Sequence, residues 1–127
     1  MSEDTRITVM IHNKTSSSLV WDGLEKEDYH LEWGKFLDGF RPKRIEPKDS
    51  TLAFIACGAK GSGTGTEGWV KYKFLNTNLN QSFTVNFNIP YSSTNSFSIS
   101  PRSPGVQCDE EGFTEHGSPT VLITVEN

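Results

Sequence analysis

The chain reads as an all-β protein, a single-domain two-sheet antiparallel sandwich spanning residues 1–127. Three observations predict it. Period-two runs of apolar and polar residues recur from end to end. Each run is rich in Val, Ile, Thr and aromatics and bounded by Gly, Pro, Asn, Asp or Ser. No window sustains a helical spacing with caps. Regular short strands with this punctuation describe a sandwich or barrel.

In chain order the first strand is Ile7 to Ile11, an apolar run broken by Thr8 and closed by His12 and Asn13. Ser18 to Trp21 follows a polar turn, then Tyr29 to Phe36, then Thr51 to Cys57. Trp69 to Leu75 alternates bulky and basic residues in Trp-Val-Lys-Tyr-Lys-Phe-Leu, the mark of a strand with one packed and one solvated face. Ser82 to Ile89, Ser96 to Ser100 and Thr120 to Val125 complete the set. Phe54, Phe74, Phe83, Phe87 and Phe97 fall on alternating strand positions and are the expected core. Asp109-Glu110-Glu111 reads as a solvated turn. There is no linker, low-complexity tract or internal repeat.

Composition narrows the function. At 127 residues, the chain can bury roughly two-thirds of its unfolded surface, so it should fold without metal or disulfide support. Net charge is -4, with 12 Lys+Arg against 16 Asp+Glu and no basic cluster longer than Arg41-Pro-Lys-Arg44. Nucleic-acid binders and proteins that bind anionic lipid draw affinity from a basic face, so neither is expected. The N-terminus carries no signal-peptide pattern and no segment has the about 20 apolar residues of a membrane span. A soluble protein is expected, accumulating in the cytoplasm or leaving by a non-classical route, and peripheral on any membrane it meets. Cys57 and Cys108 are expected as buried thiols, with pairing as the alternative.

The stretch Gly63-Thr-Gly-Thr-Glu-Gly-Trp-Val70 matches G-x-G-x-x-G-x-V, the lettering of dinucleotide and kinase phosphate loops. Its context is wrong for a nucleotide, because a strand follows Gly68 where a Rossmann unit needs a helix, and no kinase motif comes after it. The glycines are expected to form a tight exposed connection in which positive φ is cheap. His12, His30 and His116 show no metal-ligand spacing, there is no nucleophile elbow, and His12 reads as structural. No enzyme and no cofactor is expected.

The remaining resource is aromatic. Trp21, Trp33, Trp69 and Tyr91 stand beside turn residues, in Trp21-Asp-Gly, Trp33-Gly, Gly68-Trp69 and Pro90-Tyr91-Ser-Ser. Rings at strand ends suit a membrane-water interface or a quaternary-ammonium cage. Each is equally readable as an edge-of-core aromatic.

Taken together, "ITVMIHNKTSSSLV", "LEWGKF", "FIACGAKGSGTGTEGWVKYKF", "FNIPYSSTNSFSIS" and "PTVLITVEN" resemble, in order and spacing, segments of the aegerolysin family, and they cover nearly the whole chain. The resemblance implies a β-sandwich without enzymatic activity that binds membrane lipids, of the sphingomyelin-sterol or ceramide phosphoethanolamine type. It also implies the small component of a two-component pore-forming, hemolytic or insecticidal toxin that recruits a larger perforin-type partner. Trp33 resembles the family's lipid-contacting tryptophan, and Tyr91 holds the aromatic place after proline. Arg6 stands where several members have an aromatic, Ile89 replaces a cysteine, and Thr64 falls where mushroom members carry a sterol-sensing glutamate, with Glu67 the alternative carrier of that role. The expected lipid-binding residues are therefore Trp33, Tyr91, Trp21, Trp69 and Glu67, on a monomer or homodimer. Two other classes fit the same rings: a carbohydrate-binding sandwich, and an intracellular structural protein acting through dimerisation.

Overall fold

The computed structural model describes residues 5–21, 29–58, 65–75 and 81–127, and every element named among them is a strand. Strand β1 (Arg6–Asn13) alternates half-buried and buried positions, with Ile7, Val9 and Ile11 turned inward and fully buried. Its other face holds Thr8, Met10 and His12, and His12 lies in register with Thr124 and Ser50. After β2 (Leu19–Val20), the run expected as one strand from Tyr29 to Phe36 divides into β3 (Tyr29–Trp33) and β4 (Lys35–Phe36). β5 (Ser50–Cys57), β6 (Thr66–Phe74), β7 (Ser82–Ile89), β8 (Ser96–Arg102), β9 (Gln107–Glu111) and β10 (Thr120–Glu126) follow.

Two five-stranded sheets result. The first, sheet A, runs β4-β5-β1-β10-β9; the second, sheet B, runs β2-β6-β7-β8, with β3 also pairing β6. Pairing is antiparallel except between β1 and β10, which run parallel from Thr8↔Thr120 to Asn13↔Val125. The parallel pair departs from the expected all-antiparallel arrangement. It arises because the first and last strands lie side by side in the middle of sheet A, and a parallel pair needs a crossover, which the strands of sheet B supply.

The core lies between the inner faces of the sheets. Phe54, Phe74, Phe83 and Phe87 are buried there as expected, whereas Phe97 is half-buried and stacks on Phe113 with centroids 5.8 Å apart. Each fully buried Val, Ile, Leu or Phe contributes about 1.5–3 kcal/mol. A run of ring contacts, Trp21–Tyr29–Phe36–Phe54–Phe87, passes from β3 across β4 and β5 to β7 with spacings of 5.3 to 5.8 Å, and so ties the sheets together. Such pairs add about 0.5–1.5 kcal/mol each beyond their area. Tyr72 is fully buried, donates its hydroxyl to the Lys43 carbonyl at 2.9 Å, and is held well above the ordinary phenol range by burial.

The loops are pinned by two buried amides. Asn13 donates to the carbonyls of Ser17, Ile45 and Glu46 and accepts from both the amide and hydroxyl of Thr15, so the Asn13-Lys14-Thr15 sequon is closed to glycan. Asn95 donates to the carbonyls of Thr114 and Gly117, tying the segment after Tyr91 to the loop before β10. Gly63, Thr64 and Asn80, the first residue of the Asn80-Gln81-Ser82 sequon, lie outside the described residues.

Two expectations are corrected. Asp109-Glu110-Glu111 is not a turn but part of edge strand β9, in register with Thr124, Ile123 and Leu122. An edge strand loaded with carboxylates hides its period-two signal and resists pairing with other chains. Cys57 is buried, but Cys108 is only half-buried; both are thiols, on strands separated by β1 and β10. Burial, opposed by Arg102 and reinforced by Asp109, pushes the Cys108 thiol up to about 11.

Gly34 (φ +90) and Gly39 (φ +82) share a left-handed backbone but differ in space: a Cβ on Gly34 would run into the Cys57 carbonyl and Thr66, and one on Gly39 meets nothing. Gly34→Ala should cost about 3 kcal/mol or more and Gly39→Ala about 1 kcal/mol in urea denaturation. For Cys108, the folded state holds the proton more tightly than the unfolded chain. Its contribution is therefore complete below the ordinary thiol value and lost as pH rises toward about 11. The urea midpoint of the native protein should fall more steeply over that window than that of Cys108→Ser.

Candidate functional site

One end of the sandwich is shaped by the passage from β3 to β4. Leu31 pairs with Gly68 and Trp33 with Glu67, so Glu32 is an extra residue in β3, a bulge that re-aims the next side chain. Gly34 then turns the chain from sheet B into sheet A, and Thr66, itself 1% exposed, donates its hydroxyl to the Trp33 carbonyl at 3.1 Å. Bulge, turn and hydrogen bond leave the Trp33 indole 56% exposed at the rim.

Tyr91, 47% exposed, reaches the same rim from the end of β7. The close approach is possible because residue 65 is glycine: a Cβ there would overlap the Ile89 carbonyl and the Pro90 backbone. Trp33 and Tyr91 line a cleft of about 300 Å³ together with Gly65, Thr66, Glu67, Asn88 and Pro90. Among the described residues that line it, Glu67 is the one carboxylate and none is basic, so this lining suits a cationic or zwitterionic group better than an anion.

The glycines of the phosphate-loop lettering thus have another use. Gly65 and Gly68 are close-approach glycines, the second admitting the His30 carbonyl and Leu31 of β3, and neither has positive φ. The expected exposed connection with left-handed glycines is incorrect from residue 65 onward, because β6 begins at Thr66.

Of the five residues expected to contact lipid, Trp33, Tyr91 and Glu67 come together in the cleft. Trp69 stands mid-strand on the outer face of sheet B, not at a strand end. There it lines a broader groove of about 670 Å³ that shares Trp33, Glu67 and Asn88 with the cleft. Trp21 lies apart, packed on Tyr29 against the core, and its Nε1 has no hydrogen-bond partner among the described residues. Thr66, Gly65, Asn88 and Pro90 also line the cleft, a role for which Thr66, Gly65 and Pro90 carry no local mark in the sequence. Asn88 was detectable in principle, since it alternates with Phe87 and Ile89 and must point outward. The remaining large exposed apolar side chain among the described residues, Leu75, follows the far end of β6.

The aegerolysin family model matches residues 5–126 of this chain. Among solved structures it is similar to RahU protein, crystallised in complex with a TRIS molecule, at a TM-score of 0.72 and 20% identity over 97% of this chain and 98% of that one. It is also similar to the lipid binding protein Nakanori, at a TM-score of 0.70 and 14% identity over 99% of this chain and 73% of that one. No curated protein matches by sequence. At these identities the likeness to both structures is one of fold.

Exposure separates the roles of the rings. Trp33→Ala and Tyr91→Ala should each leave unfolding free energy within about 0.5 kcal/mol of the native protein, whereas Trp21→Ala, which opens a gap beside Tyr29, should cost about 2–4 kcal/mol by the same measurement.

Proposed function

The chain belongs to the aegerolysin family, and we propose that it is a membrane-lipid-recognition module that docks through the rim cleft bearing Trp33 and Tyr91. The observation that carries this reading is that two half-exposed rings line one cleft whose described lining holds a carboxylate and no base. A zwitterionic headgroup fits those terms. Its ammonium gains about 0.5–2 kcal/mol from each ring face, and Glu67 adds attraction, while the phosphate stays toward water. Rings with a polar edge also suit the interface beneath the headgroups. The headgroups in view are phosphocholine, as in sphingomyelin beside a sterol, and phosphoethanolamine on ceramide.

Recruitment is the second half of the proposal. No helix among the described residues is long and apolar enough to cross a membrane, and the described strands are already paired in two sheets. The module would therefore mark a target membrane, and a larger perforin-type protein would make the pore, as in a two-component cytolysin or insecticidal toxin. Dye release from vesicles by this protein alone would contradict that division of labour.

Vesicle sedimentation tests the docking. Binding is expected to mixtures containing sphingomyelin with sterol, or ceramide phosphoethanolamine, and to disappear in the Trp33→Ala/Tyr91→Ala double variant with its melting transition in place. Glu67→Gln should weaken binding by about twofold to fivefold, the worth of one partly screened charge contact. Failure to bind any of these mixtures, or undiminished binding by the double variant, would remove the proposal.

A further inference from the structure

The outer face of sheet B holds a feature that the rim cleft leaves unused. Register across four strands aligns His30 with Trp69, Trp69 with Asn86 and Asn86 with Ser98; the adjacent row aligns Trp33, Glu67, Asn88 and Ser96. The two rows form a grid of about 4.8 Å between strands and about 6.7 Å along them, roughly the footprint of one sugar ring. Over it lies the groove of about 670 Å³.

A polar outer face is the ordinary condition of an antiparallel sheet. This one differs in having an indole set in the middle of it, with hydrogen-bonding groups on its flanks. Asn86 is committed, donating to the Ser100 carbonyl at 2.7 Å, and His30 is paired with Glu32 at 3.0 Å. Glu67, Asn88, Ser96 and Ser98 make no side-chain hydrogen bond to other described residues. They leave a carboxylate, an amide and two hydroxyls available around Trp69.

The lining chooses among ligands. Glu32 and Glu67 oppose an anion, and the Asn and Ser side chains would be left unpaired beneath an apolar one. A neutral polyhydroxylated ring meets both conditions. Its C–H face can lie on the negative face of the indole, while its hydroxyls donate to Glu67 and exchange hydrogen bonds with Asn88 and Ser98. We propose that this face is a binding site for a neutral pyranose, with Trp69 as the stacking platform. The proposal stands on Trp69 and its neighbours and does not need the lipid reading. Because Glu67 and Asn88 line both cavities, the sugar could equally be free or the headgroup of a glycosylated lipid.

The test has two arms. In one, a panel of free neutral oligosaccharides containing glucose, galactose, mannose or N-acetylglucosamine is titrated against the native protein, Trp69→Ala, Ser98→Lys and Tyr91→Ala. In the other, the same proteins are sedimented with phosphatidylcholine vesicles with and without glucosylceramide or galactosylceramide. Saturable binding in the free arm, weakened about tenfold or more in Trp69→Ala and Ser98→Lys but within about twofold in Tyr91→Ala, supports the site and identifies soluble glycan as its source. A loss of the glycosylceramide-dependent part of vesicle binding in Trp69→Ala and Ser98→Lys, with no binding in the free arm, supports it with a lipid-linked sugar; Tyr91→Ala is compared in the free arm alone. Ser98 is exposed, so the lysine should fill the groove without disturbing the fold, and an unchanged melting transition checks this. No binding in either arm, or binding indifferent to both groove variants, overturns the proposal, whatever the result with sphingomyelin.

Discussion

The rim of this molecule depends on how closely three backbones meet around Gly34. The chain leaves sheet B after Trp33 and enters sheet A at Lys35, with a single residue to make the change. That residue must take positive φ and must also lack a side chain, because the Cys57 carbonyl and Thr66 occupy the space where a Cβ would sit. Thr66 in turn is held by its bond to the Trp33 carbonyl. β3, β5 and β6 thus converge on one point, and the indole of Trp33 is what remains outside it. A second close approach, Gly65 against Ile89 and Pro90, brings Tyr91 to the same place. The cleft exists because two glycines permit contacts that any other residue would block.

The aromatic residues divide by the same geometry. Those that point between the sheets lock the layers in a chain of ring contacts from Trp21 to Phe87. Those that emerge at the rim or on the outer face of sheet B keep surface for a ligand. Trp33 and Tyr91 sit by a carboxylate with no base among the described lining residues, and Trp69 sits among amides and hydroxyls. One set of side chains therefore serves stability and another recognition, with Trp33, Glu67 and Asn88 shared by two cavities of different chemistry. Buried amides control the loops, through Asn13 at one loop cluster and Asn95 at another. Both asparagines satisfy backbone groups that would be costly to bury unpaired.

Much of this was legible in the residues. Alternation located eight of the strand regions and four of the five core phenylalanines, because a half-buried strand imposes its period on any sequence that forms it. Trp33, Tyr91 and Glu67 were picked out by resemblance and by their turn neighbours, and the fold brings them together. The failures are equally physical. β9 leaves no mark in the sequence because both faces of that edge strand are largely wet, so nothing requires its residues to alternate. Tyr29 to Phe36 looked like one strand because alternation continues through a corner at which the chain changes sheets. The glycine lettering suggests a loop because a glycine needed for close approach looks, in one dimension, like a glycine needed for positive φ.

What the sequence by itself determined is the class of structure and the inventory of rings and charges, since periodicity, turn chemistry and composition are local properties of the chain. The tertiary structure alone decided which rings are neighbours. Trp33, Glu67 and Tyr91 are far apart along the chain and meet only through cross-strand register, a bulge at Glu32 and two backbone contacts at glycine. Register depends on pairings between distant segments, and a shift of one residue would turn each side chain to the opposite face.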